Sequence, residues 1–265
     1  MDQLGFALNE FVEEAQGLSA QFDSATLFSI GPWNVTQYTL YMLIAFVLTM
    51  VVVLVAARKL EMIPHKKFPA IVEYGYSFVQ TSIGEDVIGE GFKKHIPFLA
   101  TLFFFILMAN VIGLIPGAKA ANGTISATWA LALVSFIYFN FYGLKQLGFF
   151  GYFRSLCPHG VPGPMGPIIW FLEFISMVIR VLTLAVRLYG NMLSGHMVLA
   201  VFSIATTIFL QVAVTQGAIL AGLPAIAWFF LLFFMYALET LVAFLQAYVF
   251  TILSASYIGM AIHPH

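Results

Sequence analysis

An all-α polytopic membrane fold is what this sequence predicts, and three observations carry the prediction. Of its 265 residues, 61% are hydrophobic and only 9% charged, with a mean hydropathy of +0.95; a soluble domain is about 25% charged. Several uncharged stretches are long enough to cross a hydrocarbon core of ~30 Å. Basic residues gather at one set of ends of these stretches, the pattern of cytoplasmic or matrix-facing loops. About five membrane helices are expected, plus an amphipathic interfacial helix, with the last two long and steeply tilted as a hairpin.

Residues 1–33 form an outer acidic segment. They hold Asp2, Glu10, Glu13, Glu14 and Asp23 and no Lys or Arg, unlike the basic start of a cleavable signal. Phe6, Phe11, Val12, Ala15 and Leu18 fit a surface helix; a solvated stretch fits equally. Residues 34–59 are the first membrane helix, closed on the inner side by Arg58-Lys59 and then Lys66-Lys67. Residues 60–95 are an inner-face segment. Apolar side chains at 68, 71, 72, 76, 79, 83, 87 and 88, with Glu73, Gln80, Glu85 and Asp86 between them, predict an amphipathic helix lying on the membrane. Lys93-Lys94-His95 reads as a solvated anchor.

Residues 96–147 supply two membrane helices, Ile96 to Ala118 and Ile125 to Leu144, joined outside near Lys119. Asn110, within the first, reads more readily as an interhelical hydrogen bond than as a site. Eight of the eleven Lys and Arg then fall on the inner side, one outside and two within the membrane. Residues 148–167 are an inner Pro/Gly loop with Pro158, Pro162, Pro164 and Pro167, the last suited to the first turn of a helix. Residues 168–265 are the long hairpin, turning over Gln211 to Pro224. Its second arm would be roughly 57 Å long against a core of ~30 Å. Such a pair is expected to lie oblique and to offer a broad side face to something large in the membrane plane.

Composition excludes little else. The net charge of −1 does not point to nucleic acid, because placement of charge matters more than its sum. The single Cys157 rules out an internal disulfide, and with His159 it falls short of a metal-ligand set.

Polar groups concentrate in WFLEFISMVIRVLTLAVRLYGNMLSGH, residues 170–196. A charge at membrane depth costs about 2.5 to 3.5 kcal/mol on the gentlest scale and is kept mostly where it serves a function. Glu173, Arg180 and Arg187 step by seven and share a helix face; Asn191 extends that line and His196 looks another way. Glu173 and Arg180 are about 10 Å apart along the axis, too far for direct pairing without bending. Glu173 is therefore read as lining an inward-facing aqueous path. An antiparallel hairpin turning near Gly217 predicts Arg187 beside Gln246, and His196 beside Glu239 about two turns nearer the outer side.

An imidazole beside a carboxylate titrates near neutral pH, as a proton relay requires. Arginine does not deprotonate in proteins, so Arg187 beside a neutral Gln is a fixed electrostatic barrier. Gly190, Ser194 and Gly195 allow a second helix to come close. Arg180 is read as structural or supporting, together with Ser176 and Thr183.

With these residues assembled, the chain resembles subunit a of F-type ATP synthases. The resemblance rests on RLYGNMLSGH, on LETLVAFLQAYVFTILSASYI downstream, and on N-x-x-G-L-I-P at 110–116. It extends over nearly the whole chain. It implies that Arg187 is the essential arginine facing a ring of c subunits, keeping a passing carboxylate ionised and separating two offset half-channels. By the same carry-over Asn110, Asn191, His196, Glu239 and Gln246 line the outer half-channel, and Glu173 the inner one. Some relatives hold the acid and the histidine in exchanged positions, and many carry an acid where this chain has Gly113.

The implied partners are the c-ring, peripheral-stalk b subunits, the rest of the complex and the bilayer, with no cofactor, no metal and no nucleic acid. The implied location is a bacterial plasma membrane, with the mitochondrial inner membrane as the alternative. No G-x-x-x-x-G-K-[ST] loop is present, so nucleotide chemistry falls to other subunits. A second reading is an independent ion-coupled transporter, which would more naturally show inverted repeats and paired broken helices. A third, a haem-binding subunit, needs axial ligands in the spans, and only His196 lies deep in one.

Overall fold

The computed structural model describes residues 26–30, 33–58, 67–115, 117–155, 165–216 and 219–262; most of the acidic N-terminal segment, the Pro158–Pro164 stretch and Cys157 lie outside them. Among the described residues the architecture is all-α apart from one short antiparallel hairpin. Its strands β1 (Thr26–Ile30) and β2 (Trp33–Thr36) precede the first helix, a feature with no counterpart in the sequence prediction. Thr36 Oγ1 then accepts the backbone N–H of Thr39 at 3.4 Å, capping α1 (Gln37–Arg58).

The inner-face segment breaks into three pieces where one amphipathic helix is expected. An α-helix, α2 (Lys67–Phe78), runs into a π-helical stretch, Val79–Ile88, and a 3-10 turn follows at Phe92–Lys94. Gly89 and Gly91 separate the last two with φ of 74° and 87°, values that favour glycine. Only the second half of the predicted apolar stripe faces inward: Val79, Ile83 and Ile88 are buried, whereas Ile71 and Tyr76 of α2 are exposed along with Glu73, Glu85 and Asp86. Lys93 and Lys94 are exposed, but His95 is buried. Its Nδ1 lies 3.2 Å from Tyr138 Oη, and its ring meets Tyr142 edge-on at 4.6 Å between centroids. The expected solvated anchor is thus two lysines and one interior histidine.

Helix α3 (Ile96–Gly113) starts with Pro97 in its first turn, where a missing N–H costs nothing. It is the central post. Leu99, Phe103, Ile106 and Asn110 are enclosed, and α1, the π-helical stretch and the last helix all pack on it. Helix α4 (Ile125–Ser155) runs past the expected end of its span. It kinks at Gly148 (φ 72°) and resumes to Ser155. The prolines of the inner loop begin only at Pro158, so nothing in the sequence forbids this extra helix. Tyr152 folds back there, its hydroxyl donating to Asn140 Oδ1 at 2.8 Å while its ring occupies space that a Cβ at Gly143 would fill.

Helices α5 (Gly166–Gln216, 51 residues) and α6 (Ile219–Ile262, 44 residues) are longer than predicted. The expected turn over Gln211 to Pro224 is itself mostly helical, leaving two residues between the arms. Pro224 sits in the second turn of α6, where it removes only one backbone bond near a helix start. Pro167 falls in the first turn of α5, as expected.

Among the described residues, five helices are long and apolar enough to cross a membrane. Leu43, Phe46 and Val47 of α1 and Phe229, Phe230, Phe233 and Phe234 of α6 are exposed. Such continuous apolar faces would be a liability in water and suit contact with lipid or partner helices.

Candidate functional site

The polar residues singled out in the sequence lie on α5 and α6, except Asn110, which is on α3 behind them. The register of the seam between α5 and α6 is set by a close fit: a Cβ at Gly195 would overlap the carboxylate of Glu239. Counting eight residues back along α5 and eight forward along α6 puts Arg187 at the height of Ala247, one residue from the expected Gln246, although Arg187 is exposed and both of those are buried. Glu239 and Gln246 are both buried, as their shared helix face requires.

His196 and Glu239 are neighbours but not an ion pair. The imidazole turns toward α3, so that a Cβ at Gly113 would lie 3.1 Å from His196 Nε2, while the carboxylate rests on Gly195. Each group has a glycine for a seat. The absence of an acid at 113, noted in the sequence, is what leaves room for the imidazole.

Above His196 a cavity of ≈ 350 Å³ opens between α5 and the 113–123 loop. Met192, His196, Leu199 and Ser203 form one wall, and Gly113, Lys119, Ala120 and Tyr38 another. Lys119 lies 5.9 Å from the centroid of the Tyr38 ring, which steadies the mouth through a cation–π contact. Sequence reasoning gave Lys119 only a topological role and did not single out Tyr38. Both become visible only once the outer loop folds over α5.

Deeper in, Asn110 Nδ2 donates to the carbonyl of Ala243 on α6 at 3.1 Å, the interhelical bond read from the sequence. Its Oδ1 accepts from Asn122 at 3.0 Å, a residue the sequence reading passed over. Asn122-Gly123 carries the look of a turn dipeptide, and that signal masks a fully buried amide. Asn191 Nδ2 and Gln246 Nε2 are buried without a hydrogen-bond partner among the described residues. Unmet amides of this kind mark a region where water is expected.

The stripe of charges on α5 divides sharply. Arg180 Nη2 contacts Glu173 Oε1 at 3.0 Å, which overturns the expectation that they are too far apart to pair. Two turns do separate the backbones, but helical side chains lean toward the N-terminus, so the long arginine reaches back to the carboxylate. Arg180 also lies 5.8 Å from the Tyr257 ring centroid on α6. Arg187, by contrast, is exposed and forms no ion pair with any described residue. Ser176 is half-buried, and Thr183 is exposed with its hydroxyl donating to its own helix at the Arg180 carbonyl, 2.9 Å away.

Taken together, the fold and this seam define a multi-pass membrane protein with polar residues along its two longest helices, among them an arginine, Arg187, that has no ion pair among the described residues. Residues 39–259 match the family model described as ATP synthase A chain. The chain is 38% identical over 235 residues to an ATP synthase subunit a from Nocardioides sp., covering 86% of this chain and 82% of that protein. It is 37% identical over 251 residues to one from Bradyrhizobium diazoefficiens (92% and 96%), and 40% identical over 200 residues to one from Brucella abortus (75% and 77%). The chain belongs to the ATP synthase A chain family, and by that membership it is a non-catalytic component of an ATP synthase in the membrane.

Proposed function

We propose that this chain is the stationary proton-translocating subunit of a rotary ATP synthase. It provides two offset aqueous half-channels, separated by Arg187, and drives the rotation of a c-ring. The observation that carries the reading is the contrast on α5: Arg180 is neutralised by Glu173, whereas Arg187, seven residues on, is exposed and without an ion pair among the described residues. An uncompensated guanidinium in a low-dielectric slab is expensive and makes sense where a mobile anion comes to it. A c-subunit carboxylate arriving from the side is such an anion.

Protons enter from the outer side through the cavity above His196 and pass Glu239, with Asn110, Asn191 and Gln246 lining the path toward the ring. A protonated ring site rotates through lipid while neutral. On returning to Arg187 it releases its proton inward past Glu173. Each charge crossing 100 mV supplies ~2.3 kcal/mol, so a leak past Arg187 would waste the work of several protons per ATP. Peripheral-stalk b subunits hold the chain still against the ring, and the complex resides in a bacterial plasma membrane.

The test is Arg187→Ala in inverted membrane vesicles. ATP-driven proton pumping should vanish while the subunit still assembles; pumping at the normal rate would end the reading.

A further inference from the structure

One fully buried side chain at the outer end of the fold has no place in the scheme above. Asn122 stands in the loop between α3 and α4, behind the wall that Ala120 and Gly123 present to the cavity. Its Nδ2 donates to Asn110 Oδ1, and Asn110 Nδ2 donates in turn to the Ala243 carbonyl. This chain of two bonds fixes which way the Asn110 amide faces, because turning it over would set an NH₂ against an NH₂. Ala243 lies four residues after Glu239 and three before Gln246. The pair of amides therefore grips α6 at the turn between the two buried polar side chains of the seam.

The grip is built at a cost. Asn122 Oδ1 is buried with no hydrogen-bond partner among the described residues. An unmet buried acceptor carries the full desolvation penalty of its group, and a leucine of similar volume would avoid that. A donor small enough to reach a fully enclosed oxygen beside a cavity that opens outward is a water molecule.

Resting on the half-channel reading above, we propose that Asn122 is a positioning residue of the outer half-channel: it holds one water on Oδ1 and, through Asn110, sets the depth and rotation of the Glu239–Gln246 turn of α6. The structural requirement is the amide itself, not its size.

The experiment uses the intact complex in native membranes, with F1 removed to read passive proton flux per assembled complex across a pH series. Asn122→Leu and Asn110→Leu should each lower the flux roughly ten- to hundred-fold, the scale of a small misplacement of a reacting group, and alter its pH profile. Asn122→Asp, which preserves shape and acceptors but loses the Nδ2 donor, should also lower it and serves if the leucine variant fails to assemble. Because Asn122 acts through Asn110, the double leucine variant should be no worse than the poorer single one.

Flux per complex within two-fold of the parent in Asn122→Leu or Asn122→Asp, with an unchanged pH profile, overturns the proposal, as do single effects that multiply in the double variant. Glu239→Gln, run in parallel, separates the two levels. If it abolishes flux while the Asn122 variants do not, only the Asn122 role falls; if it too leaves flux intact, the half-channel reading falls with it.

Discussion

Arg180 and Glu173 meet at 3.0 Å across seven residues of one helix, and this single contact separates two arginines that look alike in sequence. Arg180 has an internal anion and an aromatic face to lean on. Arg187 is exposed and forms no ion pair with any described residue. Both partners of the Arg180 pair are partly exposed, so the contact contributes about 0–1 kcal/mol. In a double-mutant cycle with Arg180→Gln and Glu173→Gln, coupling should stay below about 1 kcal/mol, and Arg180→Gln should retain proton pumping. Loss of pumping as complete as in Arg187→Ala would place both arginines in one role and contradict the distinction.

The glycines of α5 and of the end of α3 are not equivalent. A methyl at Gly195 collides with the Glu239 carboxylate and one at Gly113 crowds Ala120 and His196, whereas one at Gly190 meets nothing within 4 Å. Gly195→Ala and Gly113→Ala should each lose about 1–3 kcal/mol through overpacking, with reduced proton flux. Gly190→Ala should gain about 0.5–1 kcal/mol from helix propensity in the isolated chain. If Gly190→Ala disturbs only the assembled complex, a partner approaches that face closely; if it destabilises the chain by itself, the open space seen here is wrong.

The register of the hairpin is open to direct chemical measurement. Disulfides form when Cα atoms lie roughly 4.4–6.8 Å apart. Arg187→Cys combined with Gln246→Cys, or with Ala247→Cys, should crosslink on mild oxidation, while Arg187→Cys with Phe250→Cys should not. Preferential linkage to position 250 would shift the whole seam by nearly a turn and separate Glu239 from Gly195.

His95 predicts an acid-sensitive inner end. Burial first, and Lys94 second, hold its imidazole below the ordinary value of 6.5. The folded chain keeps it neutral at pH values where an unfolded chain takes up a proton. Its contribution to stability is thus whole above pH 6.5 and declines as pH falls from there through the folded value. The apparent melting temperature of the detergent-solubilised complex should drop below pH 6.5, and His95→Gln should flatten that drop. Parallel curves for the two proteins would show that another group governs the acid limb.

Much of this protein is legible in one dimension because lipid enforces simple rules. Uncharged stretches of membrane length, basic inner ends and a seven-residue step of Glu173, Arg180 and Arg187 are consequences of burying backbone hydrogen bonds and charge in hydrocarbon. Those rules found five spans, the inner-face segment and the side chains of the seam. They blurred where hydropathy is silent: the extra helix after Gly148, the helical stretch through Pro224, the short hairpin before α1.

The sequence by itself determined that this is a multi-pass membrane protein of the ATP synthase A chain family, with charge kept at membrane depth on one helix. Tertiary structure alone decided which arginine is compensated, since that depends on how far a side chain leans along its helix. It also decided that His196 and Glu239 occupy separate glycine seats and that Asn122 hydrogen-bonds Asn110, the residue that grips α6. Those outcomes depend on ångström-scale contacts between segments far apart in the chain, and no local periodicity encodes them.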